Sequence, residues 1–161
     1  MTRTDITIAP ATEADVPTIH ALIRELAEYE KLTHVMTATE AALRRDLFGE
    51  RRYAEVLIGR LEGRTVGYAL FFHSYSTFMG KPGIYLEDIY VTPAARGKGV
   101  GKALLCDVAR IARDRNCGRL EWSVLDWNTP SIEFYESLGA APLDGWTMYR
   151  MDEATIARLA T

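Results

Sequence analysis

The residues with the clearest chemical potential form one short run, Arg96-Gly97-Lys98-Gly99-Val100-Gly101-Lys102. Its alternating glycines let the main chain approach a ligand closely and adopt backbone angles closed to other residues. The run lies between a β-rich segment ending at Val91 and a helical pattern beginning at Val100. A helix that opens there presents N–H groups with no carbonyl one turn back, and its dipole favours an anion such as a pyrophosphate. Arg96, Lys98 and Lys102 add positive charge around it. Spacing excludes two nucleotide motifs. A dinucleotide fingerprint needs a third glycine where Lys102 stands, and a P-loop needs glycine at Arg96 and Ser or Thr at Ala103. The strand before the turn also follows two strands of a meander, whereas a dinucleotide fold opens on a first βαβ unit.

Other reactive side chains offer less. Cys106 and Cys117 stand beside apolar residues and read as buried thiols. No C-x-x-C pair or Cys/His cluster suggests a metal, and His20, His34 and His73 build neither a Ser/His/Asp order nor zinc spacing. No metal site is expected.

The elements that must position the turn follow from periodicity. Ile6 and Ile8 alternate as a first strand. Thr12 can cap a helix whose apolar positions are Val16, Ile19, Leu22, Ile23 and Leu26, with Asp15 favouring its positive end. A second helix spans Thr39 to Phe48. Strands Tyr53 to Leu61 and Thr65 to Phe72 flank the hairpin signature Glu62-Gly63-Arg64, and Ile84 to Val91 forms the next strand. Val100, Leu104, Val108, Ile111 and Ala112 keep helical spacing after the glycines. A strand over Leu120 to Leu125 precedes a helix with proline at its first position, Thr129-Pro130 onward. A last strand, Trp146 to Met151, and a short helix, Asp152 to Ala160, end the chain. The order β-α-α-β-β-β-α-β-α-β predicts a mixed α/β sheet with a central antiparallel meander.

The 161 residues suit a single domain spanning 1–161, and 48% hydrophobic with 25% charged residues is ordinary globular composition. A net charge of −3 leaves no footprint for nucleic acid. The start lacks an apolar signal core, and no apolar run approaches the ~20 residues that cross a bilayer. A soluble, cytoplasmic protein is expected.

Val91-x-Pro93-x-x-Arg96-Gly97-x-Gly99-x-Gly101, followed by a helix, resembles the acyl-CoA turn of the GNAT superfamily of N-acetyltransferases. Asn128, Ser131, Tyr135 and Gly139 stand at that superfamily's second-motif spacing, and the element order agrees over nearly the whole chain. Within it, Tyr75-Ser76-Thr77-Phe78-x-Gly80-Lys81, Tyr85 to Val91, Val124 to Asn128, Gly145-Trp146 and Glu25 to Glu30 are similar to the spermidine/spermine N-acetyltransferase family, which includes diamine, polyamine and thialysine enzymes. Phe78 departs from that pattern, which usually has tryptophan there, and the segment before Trp146 is shorter than in the animal enzymes.

The resemblance implies acetyl-CoA as co-substrate and a small primary amine as acceptor. At neutral pH only about 0.1% of an amine with pKa about 10 is unprotonated, and a nearby carboxylate can attract the ammonium and, directly or through water, accept its proton. Glu87, on the strand before the turn, is the expected base; Asp88, its neighbour, faces the other way in a regular strand unless a bulge intervenes. By carry-over, Tyr135 is the expected general acid toward the CoA sulfur. Ile89, Tyr90 and Val91 would pair with the pantetheine arm like an added strand. Arg96, Gly97, Lys98, Gly99, Val100, Gly101 and Lys102 would hold the pyrophosphate, and Asn128, Ser131 and Tyr135 would also contact CoA. Tyr29, Glu30, Glu87, Asp88, Asp144 and Trp146 would line the amine site, whereas Glu25 and Glu28 read as a solvated helix face. A direct attack in a ternary complex is expected because no cysteine lies on the turn, and a homodimer is implied. The alternatives are another amine, such as an amino acid or aminoglycoside, and a non-catalytic acyl-CoA-binding module.

Overall fold

The computed structural model describes residues 5–160. After β1 (Ile6–Pro10), the Asp15 carboxylate accepts the Thr12 main-chain N–H at 2.7 Å and closes a 3-10 turn into α1 (Val16–Tyr29). Thr39 caps α2 (Glu40–Phe48), its hydroxyl accepting from the Ala42 N–H at 3.1 Å. Strands β2 (Glu55–Leu61) and β3 (Arg64–Ser76) meet at Glu62-Gly63, whose φ values of 51° and 78° give the doubly left-handed turn that matches strand twist. β4 (Lys81–Val91), α3 (Val100–Asp114) and β5 (Leu120–Glu121) follow, then α4 (Thr129–Ser137) and α5 (Glu153–Leu159).

The sheet runs in the order β1-β2-β3-β4-β5, antiparallel through β4 and parallel between β4 and β5. Ile19 and Leu22 of α1 and Leu47 of α2 pack on one face against Val56, Ile58, Tyr68 and Tyr90. The neighbouring residue Gly59 faces the opposite layer, α3, where an added Cβ would stand 2.9 Å from Val100 Cγ1. A side chain at that position would push the helix off the sheet, so glycine sets how closely α3 packs. Val100, Leu104 and Val108 are fully buried there. The described residues divide into two compact units with the boundary between Ser123 and Val124; the sheet, α1, α2 and α3 belong to the first, α4 and α5 to the second.

Two features of β4 arise from pairing. Leu70 lies opposite Asp88 and Phe71 opposite Leu86, so Glu87 is an extra residue, a β-bulge. Paired residues share a face and Leu70 and Phe71 face opposite ways, so Leu86 turns to the α3 side and Asp88 to the α1 side with Tyr68 and Tyr90. In addition, β5 pairs only with Ile84 and Tyr85. Among the described residues no strand covers the rest of that edge, from Leu86 to Val91.

The sequence expectations need correcting at several strands, and β4 begins at Lys81 where Ile84 was expected. β3 is longer than expected, reaching Ser76. The strand expected over Leu120 to Leu125 forms only at Leu120–Glu121. The expected strand Trp146 to Met151 is not present: the alternation of Trp146 and Met148 with polar neighbours has no ladder partner among the described residues, and a strand exists only through its pairing.

Candidate active site

At the glycine turn, Gly97 and Gly99 adopt φ values of 74° and 93°, and Gly99 is the residue from which α3 springs. Space around Gly97 is open: an added Cβ would meet nothing within 4 Å. Val100, Gly101 and Lys102 form the first helical turn, where N–H groups have no intrahelical carbonyl. Lys98 and Lys102 are exposed. An open, left-handed, cation-flanked helix start fits a diphosphate. The uncovered edge of β4 leads into it. Val91 turns its carbonyl to that edge, where it accepts from Arg96 Nε at 3.0 Å, and by strand alternation Ile89 shares the orientation. Main-chain groups there can receive an extended amide-bearing arm as an added strand would.

On the α1 side of the sheet lies an acidic cluster. Tyr68, fully buried, donates its hydroxyl to the Asp88 carboxylate at 3.0 Å. Burial pushes the Asp88 pKa up to about 6; the Tyr68 hydrogen bond works against that rise, and the Glu87 and Glu30 charges add to it. Glu30, just past the end of α1, is itself raised by burial. The Tyr68 hydroxyl is pushed far upward, by burial first and then by Asp88, so it remains a proton donor to the carboxylate. Glu87, on the bulge, is exposed. The structure thus brings Glu30 and Glu87 each into electrostatic reach of Asp88. An array of three carboxylates with one deeply set member suits an ammonium group.

Arg96 is not directed solely at the turn. Its guanidinium carbon lies 4.8 Å from the Tyr29 ring centroid and 5.5 Å from that of Tyr90. Tyr90 donates its hydroxyl to Glu25 at 3.1 Å, so Glu25 is not the solvated residue the helix pattern suggested. Tyr68 and Glu25 are the two residues missed by sequence reasoning. A signal for Tyr68 existed: in the meander it falls opposite Tyr90, and a buried tyrosine hydroxyl needs a partner.

In the second unit, Asn128 is buried and caps α4, its Oδ1 accepting from the Ser131 N–H at 3.4 Å. Tyr135 lies on that helix, partly buried, its ring 5.5 Å from that of Phe134. Asp144 and Trp146 are exposed in a stretch without regular structure. Cys106, on α3, and Cys117, in the connection between α3 and β5, are half-buried free thiols, where burial was expected. His20 is structural as expected, its Nε2 2.9 Å from the Ala38 carbonyl. No group of three or more metal-ligating side chains occurs among the described residues.

Comparison with known proteins shows the family. Residues 18–140 match the Acetyltransferase (GNAT) family. The chain is 42% identical to the thialysine N-epsilon-acetyltransferase of Bos taurus, over 96% of this chain and 97% of that one. It is 33% identical to the L-ornithine N5-acetyltransferase NATA1 of Arabidopsis thaliana, over 88% and 82% respectively. Among solved structures, an integron cassette protein from the mobile metagenome of V. cholerae superposes with a TM-score of 0.80 at 26% identity, covering 96% of this chain and 97% of that one. A family match over residues 18–140 and a relative 42% identical over nearly the whole chain show that the chain belongs to the GNAT family of acetyltransferases.

Proposed function

We propose that this enzyme transfers the acetyl group of acetyl-CoA to a primary amine of a small thialysine-like or polyamine-like substrate, by direct attack in a ternary complex. The observation that carries the amine side is Asp88, held under Tyr68 with a pKa of about 6 among Glu30 and Glu87. Bound acetyl-CoA supplies an acetyl group activated as a thioester. Main-chain amides from Gly97 to Lys102, with Lys98 and Lys102, hold the diphosphate, and Ile89, Tyr90 and Val91 hold the pantetheine arm. Asn128 and Ser131 contribute to cofactor binding through the second motif.

Tyr29, Glu30 and Glu87, with Asp144 and Trp146, attract and orient the ammonium, the aromatic rings through cation–π contact. Asp88 takes the ammonium proton directly or through water. Its burial favours it over the exposed Glu87 as base: a carboxylate titrating near 6 is still ionised at neutral pH and is a stronger base than an ordinary one. Tyr135 gives a proton to the departing sulfur. The names of both relatives specify a side-chain amine as acceptor, which supports a diamino-acid or polyamine substrate. The family match runs across the boundary at Ser123, which supports reading both compact units as one domain. Exposed Trp146, Met148, Tyr149 and Met151 support a homodimer built through the carboxy-terminal region, and free thiols fit a reducing, cytoplasmic setting.

The test is calorimetry with acetyl-CoA paired with a thiol-release assay over spermidine, putrescine, thialysine and lysine. Binding with CoA release on at least one of these amines is expected. Binding without release on any would make the chain a non-catalytic acyl-CoA-binding module. A double variant, Cys106→Ala with Cys117→Ala, is expected to keep its activity largely intact; loss of acetyl transfer in a folded double variant would point to a covalent acyl-cysteine route.

A further inference from the structure

The α1 side of the sheet continues beyond the acidic cluster. Along β3, Tyr68, Leu70 and Phe72 alternate onto that side, and each shares it with its cross-strand partner. Leu70 lies opposite Asp88, and Phe72, two positions further on, lies opposite Tyr85. Tyr85 pairs in parallel with Glu121 of β5, so Glu121 stands on the same side again. At about 3.4 Å per strand residue, the row of Tyr85 and Glu121 lies about 7 Å along the sheet from Asp88.

The half-buried rings of Phe72 and Tyr85 form a floor in that row, their centroids 5.3 Å apart. A hydrogen bond of 2.9 Å between the Tyr85 hydroxyl and Ser123 Oγ holds the second ring in place. Beside the floor, Arg119 Nε and the Glu121 carboxylate form an ion pair at 3.3 Å, with both side chains partly exposed. Gly83, two residues before Tyr85 and on its side, seats the Arg119 stem: an added Cβ there would stand 3.3 Å from Arg119 Cγ. The guanidinium is therefore kept on the side that carries Asp88.

We propose that Arg119 and Glu121, over the Tyr85 ring, bind the α-amino-acid end of the acceptor, resting on the acetyl-transfer reading above and narrowing it to a diamino acid. A cation beside a carboxylate is the charge complement of an α-carboxylate beside an α-ammonium. Arg119 meets the carboxylate; Glu121 meets the ammonium, to which the Tyr85 ring adds cation–π attraction. The separation from Asp88 is about the reach of a lysine side chain, a flexible four-carbon stem ending in an ammonium. That stem crosses Leu70 and Phe72, the apolar residues opposite Asp88 and Tyr85. A polyamine satisfies Glu121 but presents Arg119 with a like charge, so the pair selects against it. An ion pair with no ligand would add little to stability and would not distinguish one amine from another.

The test measures inhibition by lysine, cadaverine and ε-aminocaproate of acetyl transfer to whichever amine the thiol-release assay accepts. Cadaverine is lysine without its carboxylate, and ε-aminocaproate is lysine without its α-amine. The wild type is expected to hold lysine about fivefold or more tighter than either, the scale of one partly exposed charge-assisted contact. Arg119→Gln should weaken lysine and ε-aminocaproate by about fivefold and leave cadaverine no weaker. Glu121→Gln should do the reverse, weakening lysine and cadaverine and leaving ε-aminocaproate no weaker. Damage to the fold would weaken all three together.

Three results overturn the proposal: lysine held no tighter than cadaverine by the wild type, unchanged lysine affinity in either variant, or equal weakening of all three ligands in both. Absence of acetyl transfer to every amine of the panel would instead defeat the functional reading itself.

Discussion

Asp88→Asn is expected to lower kcat/KM at pH 7 by about 10²- to 10⁴-fold, the usual worth of a positioned base, and to make the protein more stable. Both effects come from one cause. The substituted amide would still offer Tyr68 an oxygen acceptor, so the buried hydroxyl keeps its partner and the packing of the bulge is preserved. What disappears is a carboxylate whose burial raises its pKa from 3.8 to about 6. For a raised carboxyl group the native state binds the proton more tightly than the unfolded chain does. Its contribution to stability is present below the unfolded value and is lost as pH rises through the folded one. At pH 7 the ionised group is a burden of about 1–3 kcal/mol, which the amide removes. The variant should gain denaturant midpoint most at neutral pH and progressively less as pH falls from 6 toward 4. The acid limb of the wild-type rate profile, near pH 6, should vanish with it. A variant of unchanged activity would remove Asp88 from the mechanism, and one that is destabilised at pH 7 would refute its account of burial.

Tyr135→Phe is expected to lower kcat at least tenfold, and up to the 10²- to 10⁴-fold typical of general acids, with little change in acetyl-CoA affinity. Phenylalanine keeps the ring beside Phe134 and the helix α4 that carries it, so only the hydroxyl is lost. A proton for the departing sulfur matters as the carbon–sulfur bond breaks and hardly at all in the ground state, so the loss falls on kcat and not on binding. Steady-state rates at saturating amine, with acetyl-CoA affinity measured by calorimetry, separate the two. An unchanged kcat would leave Tyr135 a packing residue.

Residue order alone determined much of this protein. The helical stripe from Val16 to Leu26, the Thr39 cap, the Glu62-Gly63 turn and the glycine run opening α3 are set by side chains within about four residues of one another, a range over which periodicity, capping and turn chemistry act. The same local logic marks the glycine turn as the candidate diphosphate site, because main-chain amides at a helix start need no distant partner to be available.

The tertiary structure decided the rest. Whether Glu87 or Asp88 turns inward depends on a bulge in the register with β3, and Asp88 owes its raised pKa to burial beside Tyr68, twenty positions earlier. Spacing put Arg96 beside the glycine turn, and the fold decided that its guanidinium lies over rings contributed by α1 and β4. At Trp146 to Met151, alternation was legible but pairing was not, since hydrogen bonds between strands depend on which backbone lies alongside. Register, burial and electrostatic neighbourhood are properties of segments brought together from far apart in the chain, and no short stretch of residues contains them.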